Sequence, residues 1–187
     1  MTEPRLLFMA KPPPKVLNAM MATVRRHGLD TQLGDTMFPI VNWHQTFSDR
    51  YWNVVGLRKK MLRAGAAISA VAFLLTLNRI RDQGRDDPIH WAFKAKGKPP
   101  GFAALLSAVR LALSAEGIDG GAGHTPHVTI SYRAPQRITR TEMDPVHWMI
   151  DETLLVVGGG RPYRYDVIGR WPLLPAAEPA MPQFSLF

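Results

Sequence analysis

At 187 residues the chain is long enough for one domain with a sizeable core, and a 46% hydrophobic content rules out global disorder. Lysine and arginine outnumber acidic residues 23 to 15, and the net charge of +8 favours polyanionic partners such as RNA, nucleotides or anionic membranes. There are no cysteines, which excludes disulfides, thiol catalysis and cysteine-ligated zinc.

Glu3 comes early and the apolar run after it is short, so the N-terminus does not read as a signal peptide. Residues 6–10 predict a short strand, stopped by Pro12, Pro13 and Pro14. A helix follows from about Lys15. Leu17, Met20, Met21 and Val24 recur at helical spacing, Arg25 and Arg26 suit the last turn, and Gly28 suits the end. Residues 38–48 predict a strand with Asn42, His44, Thr46 and Ser48 on one face and Val41, Trp43 and Phe47 on the other. A second helix is expected over 53–63, with Arg58, Lys59, Lys60 and Arg63 off its apolar stripe. The uncharged stretch 64–77 falls short of the roughly 20 residues a bilayer span needs, and reads as buried core with a strand over 68–77. A partner strand covers 89–96, joined through the polar turn 81–88; in it Ile89, Trp91 and Phe93 alternate with His90, Ala92 and Lys94.

Phe102, Leu105, Leu106, Val109 and Leu113 make a single helical stripe between Pro99-Pro100 and Gly117. The glycine-rich run 117–123 then leads into a strand beginning at His127. Residues 148–157 and 163–171 predict two closing strands around Gly158-Gly159-Gly160, and from Pro172 the chain is proline-rich and expected to pack weakly. The mixed order of helices and strands fits an α+β fold with largely antiparallel sheet. The expectation is one domain over 1–174, a tail over 175–187, and a soluble, cytoplasmic, monomeric protein that does not enter membranes.

Two stretches repeat one another. His127-Val128-Thr129-Ile130-Ser131-Tyr132-Arg133, read as a regular strand, carries His127, Thr129, Ser131 and Arg133 on one face and Val128, Ile130 and Tyr132 on the other. His44-Gln45-Thr46-Phe47-Ser48-Asp49-Arg50 has histidine, threonine, serine and arginine at the same spacings. Two such strands together place two imidazoles and two hydroxyls in one cleft. Near neutrality one imidazole can be neutral and the other protonated, the pair needed to displace an alkoxide from phosphorus. The hydroxyls can donate to the non-bridging phosphate oxygens. Such a scheme uses no metal and no cofactor. Each piece also has a plain structural reading: the serines satisfy strand or loop hydrogen bonds, and Arg50 and Arg133 are surface charges. His124 reads as a loop residue, His147 and Trp148 as structural, Trp43 and Tyr132 as core, and Phe8 as a residue able to reach a base. Lys94, Lys96 and Lys98, with Arg58, Lys59 and Lys60, either track an RNA backbone or form solvated faces.

With these residues the chain resembles the two-histidine phosphoesterases, specifically their 2′-5′ RNA ligase (RNA 2′,3′-cyclic phosphodiesterase) branch, whose signature is a pair of H-x-[TS]-hydrophobic motifs about half a domain apart. Here these are His44-Gln45-Thr46-Phe47 and His127-Val128-Thr129-Ile130. Pro145-Val146-His147-Trp148, Leu154-Leu155-Val156-Val157 and Tyr165 to Leu173 extend the resemblance, which covers about residues 5–174. It implies a bilobal, pseudo-two-fold α+β fold with antiparallel sheets facing a central cleft and helices outside. It also implies opening of a 2′,3′-cyclic phosphate on RNA or a small nucleotide to a 2′-phosphate, and the reverse 2′-5′ ligation. His44 and His127 would be the acid–base pair, His44 the acid and His127 the base by analogy. Thr46 and Thr129 would hold the phosphate. Many members carry a basic residue just after the second motif, and Arg133, slightly later here, is the substrate-binding counterpart. The reading from another class is a non-catalytic RNA- or nucleotide-binding module that has kept the cleft.

Overall fold

The computed structural model describes residues 3–83, 87–121 and 123–176. Two antiparallel sheets and four helices make up an α+β fold, as expected. The first sheet runs in the order β2 (Gln45–Thr46), β1 (Arg5–Ala10), β8 (Glu152–Gly159), β9 (Arg164–Pro172), with the short β3 (Tyr51–Trp52) also on β1. The second runs β6 (His127–Ser131), β5 (His90–Ala95), β4 (Phe73–Gln83), β7 (Thr141–Ile150).

The two sheets follow one plan. In the first, β1 leads through helix α1 (Pro14–Arg26) to motif strand β2, which returns beside β1 at the sheet edge. In the second, β5 leads through helix α4 (Pro100–Ala115) to motif strand β6, which returns beside β5 at the other edge. Strand, helix and motif strand form the repeating unit; β3, β8 and β9 complete the first sheet, and β4 and β7 the second.

Apolar periodicity explains most of these elements. In α4 the stripe Phe102, Leu105, Leu106, Val109 and Leu113 is buried, each side chain contributing roughly 1.5–3 kcal/mol by leaving water. Pro100 opens this helix, where its missing N–H costs nothing. Helix α1 buries Val16, Met20, Met21 and Val24, and Gly28 just beyond it takes φ 63°, a left-handed conformation that glycine adopts without strain. Helix α3 (Val55–Ala67) starts two residues later than expected and runs four further; a Cβ on Gly65 would collide with the Trp171 ring, so glycine lets this helix lie close on β9.

Several boundaries differ from the expectation. The strand over 38–48 is a 3-10 turn at Ile40–Asn42 followed by the two-residue β2, and Val41, placed on an apolar face, is exposed. The strand expected at 68–77 begins at Phe73 and continues to Gln83; of the expected turn, residues 84–86 lie outside the described residues. The stretch 148–157 is two strands, β7 and β8, broken at Asp151. Asp151-Glu152-Thr153 interrupts the apolar run there, and the chain passes at that point from the second sheet to the first. Leu174 pairs with Val71, and its N–H and C=O bond Ala70 and Ala72, so the chain past Pro172 packs against the body; most of the expected tail, 177–187, lies outside the described residues. No helix among the described residues is long and apolar enough to cross a membrane.

Strand β1 is covered on both sides. Leu6 and Phe8 join the main core, with Phe8 against Trp171, while Leu7 and Met9 form a smaller apolar cluster with Leu154, Val156 and Tyr165. Phe8 is fully buried in that core and does not reach a ligand.

Candidate active site

The two motif strands meet, and the residue that joins them is Gln45. This side chain is fully buried. Its Oε1 accepts the backbone N–H of His127 at 2.7 Å, and its Nε2 donates to the carbonyl of Thr46 at 2.8 Å and to that of Thr125 at 3.4 Å. An amide can accept on one side and donate twice on the other, so one side chain satisfies backbone groups of both motifs. Gln45 occupies the variable position of its motif, where the second copy has Val128; only the polar residue at an otherwise apolar position signals its role.

Each motif histidine is anchored in the same way. His44 Nδ1 lies 2.7 Å from the Asn42 carbonyl, and His127 Nδ1 lies 2.8 Å from the Thr125 carbonyl, two residues upstream in both cases. A carbonyl can only accept, so each Nδ1 carries a proton and each neutral ring keeps its bare nitrogen at Nε2. Two rings held in one tautomer by the same local contact are prepared for proton transfer through the same atom.

Burial pushes His44 down to about 4; the Asn42 carbonyl opposes the shift, and Arg50, His127 and Lys11 add to it. His127 also falls to about 4, again through burial first, then Lys94, with the Thr125 carbonyl opposing and His124 and His90 adding. The effect of His127 on His44 places the two rings in one electrostatic neighbourhood. Without a ligand both are neutral at pH 7. A bound phosphate anion supplies the charge that favours protonation of one of them.

Thr46 faces the same way as Met9, its partner in the ladder, and Thr129 the same way as Ala92. Among the described residues neither threonine hydroxyl has a protein hydrogen-bond partner, which leaves both able to donate to a ligand. The serines behave otherwise. Ser48 Oγ accepts the Phe8 N–H at 2.9 Å and donates to the Asp49 carbonyl, taking a place in the β1 ladder. Ser131 is buried, donates to the Thr36 carbonyl at 2.8 Å and accepts the Arg133 N–H.

The position of Ser131 follows from a β-bulge. His127 pairs with Lys94, Val128 with Phe93 and Thr129 with Ala92, but Ser131 pairs with Trp91, leaving Ile130 as an extra residue. A bulge of one residue exchanges the faces of everything beyond it. Ser131, expected beside His127 and Thr129, therefore turns to the core, and Tyr132, expected in the core, turns to the cleft side. There its ring meets His90 edge-on at 5.3 Å and Phe38 at 5.1 Å. Trp43 and Trp148 are core residues, as expected.

The two arginines that end the motifs also differ. Arg50 sits among phenols: burial works against its charge, but Tyr165, Tyr132 and Tyr163 outweigh that and raise it, Tyr132 through a side-chain hydrogen bond. It also acts on His44. Arg133 is exposed and lines a separate hollow with Asp87, Pro88, Ile89, Ala134 and Pro135. The structure thus brings Arg50 to His44, while Arg133 lines a hollow to which neither motif histidine contributes. Tyr165 packs on the His44 ring at 4.8 Å and Tyr163 on Tyr165 at 5.3 Å, so aromatic rings wall the first histidine.

His124 lies 3.4 Å from Asp49, and His147 faces Thr76 at 3.1 Å on the outer sheet. Among the described residues no group of three or more histidine, aspartate or glutamate side chains is placed to hold a metal.

Two antiparallel sheets, each with a His-x-Thr strand at its edge, make a fold that solved structures share. Solved structures that share it include apo Escherichia coli LigT, at TM-score 0.71 and 21% identity over 92% of this chain and 99% of that one. E. coli LigT complexed with 3′-AMP matches at TM-score 0.70 and 22% identity, over 91% and 99%. The Thermus thermophilus protein TT0787 matches at 0.71 and 18%, over 90% and 97%. No family model and no curated protein matches the sequence. At these identities the likeness is one of fold.

Proposed function

We propose that the protein is a phosphoesterase that opens 2′,3′-cyclic phosphates on RNA or nucleotides to 2′-phosphates. The observation that carries this reading is the matched pair of imidazoles, each tied through Nδ1 to the carbonyl two residues before it, each with a free threonine hydroxyl alongside. In the cleft, the neutral Nε2 of one histidine takes a proton from water as its oxygen bonds to phosphorus. The bond from phosphorus to O3′ breaks, and the protonated Nε2 of the other histidine delivers its proton to O3′. The products are a 2′-phosphate and a 3′-hydroxyl. His44 is the acid and His127 the base by the analogy with the family. An acid and a base each contribute about 10²–10⁴-fold. Thr46 and Thr129 donate to the non-bridging oxygens as negative charge gathers there, and Arg50 supplies a positive charge at the first motif. With an RNA 5′-hydroxyl as the nucleophile in place of water, the same pair forms a 2′-5′ linkage. The E. coli LigT complex with 3′-AMP supports a nucleotide as the class of ligand.

The test is turnover of a 2′,3′-cyclic nucleotide and of an RNA with a cyclic end, in EDTA. Activity is expected in the wild type and lost in both His44→Ala and His127→Ala. Unchanged turnover in either variant would overturn the assigned roles, and activity that needs added metal would overturn the metal-free scheme.

A further inference from the structure

Beyond the second histidine the sheet face is strongly basic. His127 on β6 stands opposite Lys94 on β5, and Lys94 stands opposite Arg79 on β4, so the three side chains form one row across adjacent strands. At the usual strand spacing the row covers about 10 Å. The next row runs from Thr129 through Ala92 to Arg81. Lys98 joins from the loop before α4, and the four cations line a hollow of about 440 Å³ whose near wall is Thr125 and Pro126, the two residues before His127. Gln83, the polar neighbour of Lys94 there, is uncharged. The nearest carboxylate in the row, Glu142 opposite Arg79, is engaged by Arg140.

We infer that this hollow binds the backbone phosphates of the RNA strand on the 5′ side of the reacting end, so that an oligoribonucleotide rather than a lone nucleotide is the favoured substrate. The inference rests on the phosphodiesterase reading for the identity of the end, while the basic row itself is independent of it. A strand held at its cyclic phosphate by both motifs leaves along the His127 flank, where about 10 Å of cationic sheet accommodates two or three nucleotides at a stacked rise of about 3.4 Å each. Four cations converge there, far more than a single terminal phosphate needs. The other basic cluster, Arg58, Lys59 and Lys60, lies exposed on helix α3, which packs against β8, β9 and α4 rather than against the row.

The experiment measures binding of a fluorescent hexaribonucleotide ending in a 2′-phosphate, and of adenosine 2′-phosphate by competition, at several salt concentrations. The hexamer is expected to bind at least tenfold more tightly than the mononucleotide. Arg81→Gln/Lys98→Gln, at two exposed positions, is expected to weaken hexamer binding about tenfold. The slope of log K against log salt should fall by about 1.4 for the two charges removed. Arg58→Gln/Lys59→Gln is expected to stay within twofold of wild type. A hexamer bound no better than the mononucleotide, an unaffected Arg81/Lys98 variant, or an equal loss in the α3 variant overturns the inference. Turnover is read separately: specific hexamer binding without cyclic-phosphate opening would sink the phosphodiesterase reading and leave the hollow standing.

Discussion

The two motif edges share their chemistry and differ in their surroundings. At both, a histidine donates Nδ1–H to the carbonyl two residues back, and a threonine hydroxyl stands free beside it. Around His44, however, Tyr163, Tyr165 and Arg50 close in. Around His127 the wall is open and cationic, with Lys94 opposite and the basic hollow beyond. What repeats is set by a few backbone contacts inside each motif. What diverges is set by residues from other strands, and those are free to specialise. On the proposed function, the first edge would enclose the reacting end and the second would admit the chain that carries it.

Removing either imidazole gives the largest effect and tests whether the edges are equivalent in chemistry. His44→Ala and His127→Ala should each lower kcat by about 10²–10⁴-fold, measured on a cyclic nucleotide; a loss at one edge alone would break the equivalence. The arginines test the divergence. Arg50→Gln should lower kcat/KM about tenfold, and Arg133→Gln should change it less than twofold, in the same assay. The reverse order would restore Arg133 as the phosphate ligand and undo the distinction.

Gln45 tests the joint between the edges. Gln45→Met keeps much of the volume but leaves the His127 N–H without its acceptor, at a cost of about 1–3 kcal/mol for a buried unsatisfied group. A several-fold fall in kcat is expected with KM nearly unchanged, since the side chain orients the second motif rather than touching substrate. An equal rise in KM would make it a binding residue instead. The smallest effect is in pH. Both histidines sit at about 4 in the free protein, so the bell-shaped profile of kcat/KM should lose activity as pH rises from there, while the profile of kcat lies higher because the bound phosphate favours an imidazolium. Coincident profiles would show that the ligand leaves both rings unmoved. The same burial has a sign for stability: two histidines kept neutral in the fold weaken it as pH falls from about 6.5 toward 4, where only the unfolded chain binds the protons freely. A thermal melt at pH 7 and at 4.5 should register the loss, and His44→Gln should lessen it.

Much of the fold was legible from spacing. The stripe in α4 and the alternation of Trp91 and Phe93 with polar neighbours report burial directly. His44, Thr46, His127 and Thr129 could be read because chemistry was repeated, not because a strand was regular. Three features lay beyond that kind of reading. Gln45 acts through long-range partners 80 and 82 residues away, which no local pattern encodes. The break at Asp151 falls in the polar triplet Asp151-Glu152-Thr153, which by pattern alone does not distinguish a crossing between two sheets from solvent-facing positions within one strand. Regular alternation puts Ser131 and Tyr132 on the wrong faces because it assumes an unbroken ladder, and the ladder breaks at Ile130.

That bulge makes ladder register, not position counted along the chain, the determinant of which side chains share a face with Thr129 beyond it. Deleting Ile130 would remove the extra residue and leave Ser131 opposite Trp91 on the core face and Tyr132 on the face of Thr129, so the ladder would become regular with both side chains where they are. A relative with one residue fewer between Thr129 and Tyr132 would present the same wall through an unbroken ladder, while a relative of equal length without the bulge would exchange Ser131 and Tyr132. Comparisons of this edge across homologues are therefore sound only when gaps are placed by strand register.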